Sequence, residues 1–309
     1  MRILVIGAGA IGGYFGGRLL KAGRDVTFLV RPGRAAQLAE SGLVIKSPQG
    51  NLTLPRPATL LAAEIRHPYD LILLSCKAYD LTDAMESFAP AIGAKTRILP
   101  LLNGLKHLEM LDARFSGPQV LGGRCVVSVT LDEAGTIVHL SPMHSVSFGE
   151  RDGALSPQVQ AICSQLADAG FDVVASEQIL QEMWEKWVFI ATLAGATCLM
   201  RGSIGNIVSA PGGEAMILQL LAECCAIAQS HGHAPRAPFL AQSRAMLTAP
   251  DSPTTASMLR DIEHHARIEA DHILGDLLRR RHSDASIAPE HSLLQIAYCN
   301  LKVYEAKLG

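Results

Sequence analysis

The chain opens with Arg2-Ile-Leu-Val-Ile-Gly7-Ala-Gly9-Ala-Ile-Gly12-Gly13-Tyr-Phe-Gly16-Gly17. An unbroken apolar run gives way to G-x-G-x-x-G. A helical pattern then reaches Ala22, and a second apolar run covers Asp25–Arg31. Strand, glycine turn, helix and strand in that order form the context in which this motif receives a dinucleotide pyrophosphate. Gly7 permits the tight turn, Gly9 lets the backbone approach a phosphate, and Gly12 lets the helix pack on the strand. The main-chain N–H groups over Gly7, Ala8, Gly9, Ala10, Ile11 and Gly12 are the expected anion cradle. A glycine-rich turn in a ligand-free α/β protein is the plain structural alternative.

Working outward, β and α patterns alternate. Leu43–Lys46 and Leu52–Leu54 predict a hairpin, and Asp70–Cys76 and Arg97–Leu102 predict buried parallel strands. Turn-linked strands follow over Val120–Leu131, Thr136–Leu140 and Ser145–Gly149, then a helix near Pro157–Ala169 and a strand at Phe171–Ala175. Beyond Glu177 only helical periodicity remains, in Gln178–Met200, Gly213–Ser230, Met258–Arg281 and Glu290–Leu308. The expectation is an N-terminal Rossmann-type doubly wound sheet over residues 1–177. An all-α C-terminal domain follows over residues 178–309, and a helix from near Gln178 bridges the two.

The length of 309 residues fits two domains, and 49% apolar with 18% charged residues excludes a disordered or fibrous chain. Lys plus Arg number 27 against 29 Asp plus Glu, a net charge of −2, which argues against nucleic acid as a partner. Seven cysteines without a C-x-x-C pair predict reduced thiols in a cytoplasmic protein, with Cys224 and Cys225 as core thiols on a helix. No signal-peptide pattern opens the chain. The longest apolar run, Trp187–Met200, falls short of the ~20 residues of a membrane span.

The end of the second strand selects the dinucleotide. An NAD site places an acid there for the ribose 2′-hydroxyl; this chain has Arg31, then Arg34, and no acid between Val26 and Glu40. Arginine suits the 2′-phosphate of NADP(H), the alternative being a solvated loop cation.

Candidates for chemistry lie further along. Lys77 and Asn103-Gly104 each follow a predicted strand, on the edge where α/β sheets bind ligands, although both also suit ordinary turns. Lys186 sits within Met183-Trp-Glu-Lys-Trp-Val-Phe-Ile190, so it must snorkel, face a polar cleft, or pair with Glu182. Helical spacing puts Ile190, Ala194 (or Leu193) and Thr197 on its stripe. Ser257 falls in the first turn of the predicted helix from Met258, where capping is the simple role. Glu269 lies about 12 residues, or ~18 Å, further along that helix. Glu269 and His272 form one E-x-x-H pair, but a helical metal site needs two. His231, His233, His264, His265 and His272 are therefore read as helix-surface residues, and no metal is expected.

Taken together, these residues resemble the ketopantoate (2-dehydropantoate) reductase family across essentially the whole chain. The pieces are Gly7–Gly12, Arg31, Lys77 in Leu-Ser-Cys-Lys-Ala-Tyr-Asp80, Asn103-Gly104, Trp184-Glu-Lys186, Ser257-Met-Leu-Arg-Asp-Ile262, Glu269-Ala-Asp271 and Pro289-Glu290. The resemblance implies NADPH-dependent reduction of a 2-oxo acid to a 2-hydroxy acid, most directly ketopantoate to pantoate as in pantothenate biosynthesis. It implies that Lys186 donates the proton to the C2 oxygen and that Asn103 lies near nicotinamide and substrate. It further implies that Lys77 lies near the cofactor, that Ser257 binds substrate, and that Glu269 lies by the nicotinamide ribose.

Two departures accompany it. Ile190 and Ala194 stand where proven ketopantoate reductases carry asparagines for the substrate's polar end, and Lys106 stands where a glycine is common. The substrate-binding set is then Asn103, Lys186, Ile190, Ala194 and Ser257, which leaves open a less polar 2-oxo acid. A non-catalytic NADP(H)-sensing protein is the alternative from another class, and a homodimer through the helical domain is compatible with the pattern.

Overall fold

The computed structural model describes residues 1–281 and 292–308. The chain divides into two compact units: Met1–Leu102 with His107–Leu180, and Asn103–Lys106 with the residues from Gln181 onward.

In the first unit, β1 (Arg2–Ile6) is the centre of a parallel sheet. The nearer neighbours of β1 are β2 (Asp25–Leu29) and β6 (Leu71–Leu74), and the sheet ends in β5 (Thr59–Leu60) and β7 (Arg97–Pro100). Ile6 is in register with both Leu29 and Leu74, so the loops after β1, β2 and β6 leave one edge together. Helices α1 (Ala10–Lys21), α2 (Pro32–Ser41), α3 (Leu81–Phe88), α4 (Lys106–Arg114) and α5 (Pro157–Leu166) complete the α/β pattern. The fold is of Rossmann type in its first half.

The single doubly wound sheet of the sequence reading is, however, two sheets. The hairpin β3 (Leu43–Lys46) and β4 (Leu52–Leu54) leaves the first sheet and joins β9 (Ile137–Gly149), β8 (Gly122–Leu131) and β10 (Asp172–Ala175). Helix α1 lies between the sheets, with Tyr14, Phe15 and Leu19 buried among Val5, Phe28, Leu43, Ile45, Ile137 and Phe148. Its glycines make this possible. A Cβ on Gly16 would stand 2.6 Å from the Phe28 ring, and one on Gly17 would stand 2.9 Å from Ile45 and Leu43. Gly16 thus serves the first sheet and Gly17 the second.

The second unit is helical. It comprises α6 (Ile179–Met200, beginning two residues before the division), α7 (Ile204–Ser209), α8 (Gly213–Ser230), α9 (Ala237–Leu247), α10 (Ser257–Glu263), α11 (Asp276–Arg279) and α12 (Leu293–Leu308). The expected helix over Met258–Arg281 is interrupted. Helix α10 ends in a Schellman turn, where His265 takes φ 53°, Ala266 N–H donates to the Asp261 carbonyl (2.8 Å) and His265 N–H donates to that of Ile262 (3.0 Å). A histidine fills the left-handed position that usually signals itself by glycine, so apolar periodicity runs through the break. The chain resumes as a π-helical turn at Asp271–Gly275 leading into α11. The predicted start of the last helix at Pro289-Glu290 lies outside the described residues.

Among the described residues no helix is long and apolar enough to cross a membrane. No disulfide forms among the seven cysteines. Burial pushes the Cys198 thiol up to about 12 and raises Cys224 and Cys225 as well, as core thiols require.

The start of α12 is held by a buried carboxylate from α8. Glu223 accepts from Ser292 Oγ (2.6 Å), Leu293 N–H (2.9 Å) and Leu294 N–H (3.2 Å). Replacing it leaves these donors of the first turn without an acceptor. Glu223→Ala is expected to destabilise the protein by about 2–3 kcal/mol, with Glu223→Gln recovering part of the loss. Urea unfolding of the three proteins checks this.

Candidate functional site

The first unit carries the glycine turn at the carboxyl end of β1. Gly7 adopts φ 87° and donates its N–H to the Leu29 carbonyl (2.9 Å), which ties the turn to β2. Gly9 is the capping residue of α1, no side chain caps the helix, and its first turn contains no acid. The first N–H groups of α1, around Ala10 and Ile11, thus meet no side-chain acceptor in the capping position. A Cβ at Gly7 or Gly9 would meet nothing within 4 Å, whereas one at Gly12 would stand 2.2 Å from Ser75 Oγ and 2.3 Å from the Gly7 carbonyl. Gly12 is a packing glycine, and Gly7 and Gly9 face open space. Ala8 is buried between them. An uncapped helix start behind an open glycine turn fits a phosphate-bearing dinucleotide.

Arg31 caps the start of α2 and is 73% exposed, with its guanidinium 3.2 Å from the Asp80 carboxylate. The sequence reading found no acid near the second strand; the loop after β6 supplies one from 49 residues away. Lys77, half-buried, lies in the same loop immediately before the turn Ala78–Asp80. Arg34 does something different. Its Nε donates to the Ala8 carbonyl (3.0 Å) and its Nη2 to the Gly135 carbonyl (3.2 Å), bracing the glycine turn against the β8–β9 connection. Burial lowers its pKa. Ser75 and Asp80 were not candidates from sequence, because only the folded sheet brings them to Gly12 and Arg31; Arg34 was visible beside Arg31, but not its bond to the glycine turn.

The second unit holds Asn103, Lys186, Ile190, Ala194, Ser257 and Glu269. On α6, Lys186 and Ile190 are half-buried, while Ala194 and Thr197 are buried. Thr197 Oγ1 donates to the Leu193 carbonyl (2.7 Å) and accepts from Ala256 N–H (3.3 Å). This bond sets the start of α10 beside the far end of the stripe, about 16 Å of helical rise beyond Lys186. Ser257 is the exposed first residue of α10, with Ala256 in the capping position and no side-chain cap. Its hydroxyl is therefore not used as the cap that its sequence position suggested.

Glu269 does not share a helix with Ser257, contrary to the reading that put them ~18 Å apart on one axis. It precedes the π-helical turn, and its carbonyl accepts from His272 N–H (3.2 Å) and Ile273 N–H (3.0 Å). The histidines read as surface residues divide into one buried, two half-buried and two exposed. His272 is buried, and its ring lies against Gly104, where a Cβ would stand 3.2 Å from Cδ2. His231 and His233 stack on Trp184, with centroids 5.3 and 5.5 Å away. His264 and His265 are exposed, as expected. Among the described residues no cluster of three His, Cys, Asp or Glu side chains could hold a metal ion.

Residues 3–153 match the ketopantoate reductase PanE/ApbA family, and residues 178–294 match that family's C-terminal part. The chain belongs to the ketopantoate reductase family. The uncharacterized oxidoreductase YkpB of Bacillus subtilis is 38% identical over 99% of this chain and 100% of its own length. A 2-dehydropantoate 2-reductase of Mesorhizobium japonicum is 27% identical, with 88% of each chain covered. The crystal structure of 2-dehydropantoate 2-reductase from Methylococcus capsulatus superposes with a TM-score of 0.85 at 28% identity, covering 100% of this chain and 98% of that one. The family resemblance drawn from motifs therefore holds, in both halves of the chain.

Beside Lys186, the carboxylate of Glu185 is buried and accepts from Arg236 Nε (2.8 Å), Arg236 Nη2 (2.6 Å), Arg236 N–H (2.9 Å) and Gln181 Nε2 (3.2 Å). Burial opposes its charge, but the hydrogen bonds of Arg236 overcome this and hold it below the ordinary carboxylate range. A carboxyl depressed in the folded state contributes stability above its unfolded pKa and loses it as pH falls through the folded value. Arg236→Ala is expected to cost about 1–3 kcal/mol at pH 7, discounted for the half-exposed arginine. The penalty shrinks as pH falls into the acid range, because burial without the arginine raises the variant's carboxyl and it protonates before that of the wild type. Thermal unfolding of both proteins from pH 3 to pH 8 measures the convergence.

Proposed function

We propose that this family member reduces a 2-oxo acid to a 2-hydroxy acid with NADPH, ketopantoate to pantoate being the first substrate to test. The observation that carries the reading is the occurrence, in one chain of this family, of an open glycine turn at an uncapped helix start and a lysine on an apolar helix. When bound, the reduced dinucleotide supplies the hydride. The N–H groups of Gly7–Gly12 receive its pyrophosphate, Lys77 adds positive charge nearby, and Glu269 accepts from the nicotinamide ribose. Arg31 pairs with the 2′-phosphate. Negative charge develops on the C2 oxygen as the carbonyl is reduced; the Lys186 ammonium stabilises it and then gives it a proton. The Asn103 amide orients the carbonyl, and the Ser257 hydroxyl binds the substrate.

Ile190 and Ala194 favour a second reading, in which the preferred 2-oxo acid is less polar than ketopantoate. An apolar stripe leaves a substrate hydroxyl without a partner, at about 1–3 kcal/mol, or roughly ten- to a hundredfold in transition-state binding. A panel of alkyl and aryl 2-oxo acids beside ketopantoate ranks the two readings.

Substrate-dependent oxidation of NADPH by the purified protein is the test. Lys186→Met is expected to lower kcat by about 10²–10⁴-fold while NADPH still binds, as read from its fluorescence. Unchanged turnover in that variant would remove the lysine from the chemistry. Asp80 beside Arg31 supplies an acid of the kind that accepts from a ribose 2′-hydroxyl, so NADH is assayed in parallel. Arg31→Ala is expected to raise KM for NADPH about ten- to a hundredfold and to leave that for NADH unchanged. A wild-type preference for NADH would reassign this corner to Asp80.

A further inference from the structure

The π-helical turn Asp271–Gly275 is anchored on two sides and presses on a third. From α12, Tyr298 Oη donates to Asp271 Oδ1 (2.5 Å) and Lys302 Nζ to Asp271 Oδ2 (3.0 Å). Tyr298 also packs so closely on the turn that a Cβ at Gly275 would stand 2.9 Å from its ring. From α6, the Trp187 indole N–H donates to the Ile273 carbonyl (2.9 Å) inside the turn. A widened helical turn departs from the regular ladder, and such turns recur at functional sites.

The third side is His272. Its ring is hydrogen-bonded to the main chain of Asn103 in the sense that favours the protonated imidazole, so a ring N–H donates to the Asn103 carbonyl. A Cβ on Gly104 would stand 3.0 Å from the His272 carbonyl, and Gly104 takes φ 73°, so the turn is fitted to this histidine. Burial, with a contribution from Lys106, holds the imidazole below the ordinary histidine range. Glu269, Asp276 and the Asn103 main chain work the other way. The ring is thus a neutral donor at pH 7, and nothing in the reaction proposed above uses it.

We propose that His272 is a positioning residue, whose hydrogen bond to the Asn103 main chain fixes the Asn103-Gly104 turn and so orients the Asn103 amide for the reduction. The inference rests on the reductase reading given above. It makes a single turn of the chain responsible for Asn103 through His272, for Glu269 through the bonds to its carbonyl, and for Lys186 through its neighbour Trp187. A displacement of about 1 Å in such a group lowers turnover by up to about a hundredfold.

Two variants separate positioning from folding. His272→Phe fills the space but donates no hydrogen bond, and His272→Gln keeps a neutral donor. Hydrogen exchange in the peptide carrying Asn103–Lys106 reads the turn directly and needs no activity. Exchange there is expected to quicken at least tenfold in His272→Phe and to return toward wild type in His272→Gln. Protection in β1 and α8 should stay unchanged. With ketopantoate or the best acid of the panel, kcat is expected to fall about ten- to a hundredfold in His272→Phe, with NADPH affinity intact and partial rescue by His272→Gln. Unaltered exchange in His272→Phe would overturn the proposal. So would a loosened turn with undiminished kcat, because the turn would then not matter to the reaction. If the wild type reduces no 2-oxo acid, the reductase reading and the catalytic part of the proposal fall together. Exchange still decides whether His272 holds the turn.

Discussion

The close approach of α1 to two sheets is the constraint on which the first unit depends. A helix between two β layers ordinarily stands about 10 Å from each, the spacing set by its side chains. Here Gly12 and Gly16 bring it onto Ser75, Val5 and Phe28 on one side, while Gly13 and Gly17 bring it onto Ile137, Leu43 and Ile45 on the other. The glycine-rich opening therefore has two tasks that the motif alone does not separate. Gly7 and Gly9 shape the ligand turn, and the later glycines remove the Cβ atoms that would keep the second sheet away. Their larger neighbours Tyr14, Phe15 and Leu19 fill the core that the approach creates. The direction of the helix start, and with it that of its uncapped N–H groups, is thus set by packing on both sides.

That division of labour explains what was legible in the sequence. The strand–turn–helix–strand order, the parallel strands β6 and β7, and the helices α6 and α8 were readable because each is local and has a strong period. The hairpin Leu43–Lys46 and Leu52–Leu54 was also readable. Its departure to a second sheet was not, since its partner β9 lies about 90 residues away and pairing partners leave no local mark. The same reason hides Asp80 from Arg31 and Gly135 from Arg34. In each case a charged side chain was visible, but its partner was set by topology.

The helical unit failed differently. Its periodicity continued through His264–Glu269 although the helix did not, because a Schellman turn with histidine at the left-handed position lacks the usual glycine. The apparent distance between Ser257 and Glu269 was an artefact of drawing one axis through two helices. The break has a structural return. It releases the Asp271–Gly275 turn to face α12 with Asp271, α6 with the Ile273 carbonyl, and Asn103-Gly104 with His272. A straight helix would present side chains at fixed 100° steps, and the pattern of apolar residues gives no sign of the wider turn.

The segment Trp184–Trp187 shows how an apolar helix holds a lysine in one place. Trp184 is stacked by His231 and His233, Glu185 is gripped by Arg236, and Trp187 donates to the Ile273 carbonyl. These contacts come from two separate stretches of chain, around His231–Arg236 and at Ile273, and point in different directions around α6. A rotation or one-turn slide of the helix would break them together, and each buried polar group left without its partner costs about 1–3 kcal/mol. The position of Lys186 on the helix is therefore over-determined by its neighbours. The lysine's stem can lie along apolar surface while its ammonium keeps a defined place, which preorganised charge stabilisation requires. The same logic accounts for Ile190 and Ala194: with the frame held elsewhere, the stripe beyond the lysine is left to shape alone and can change without loosening the helix that carries Lys186.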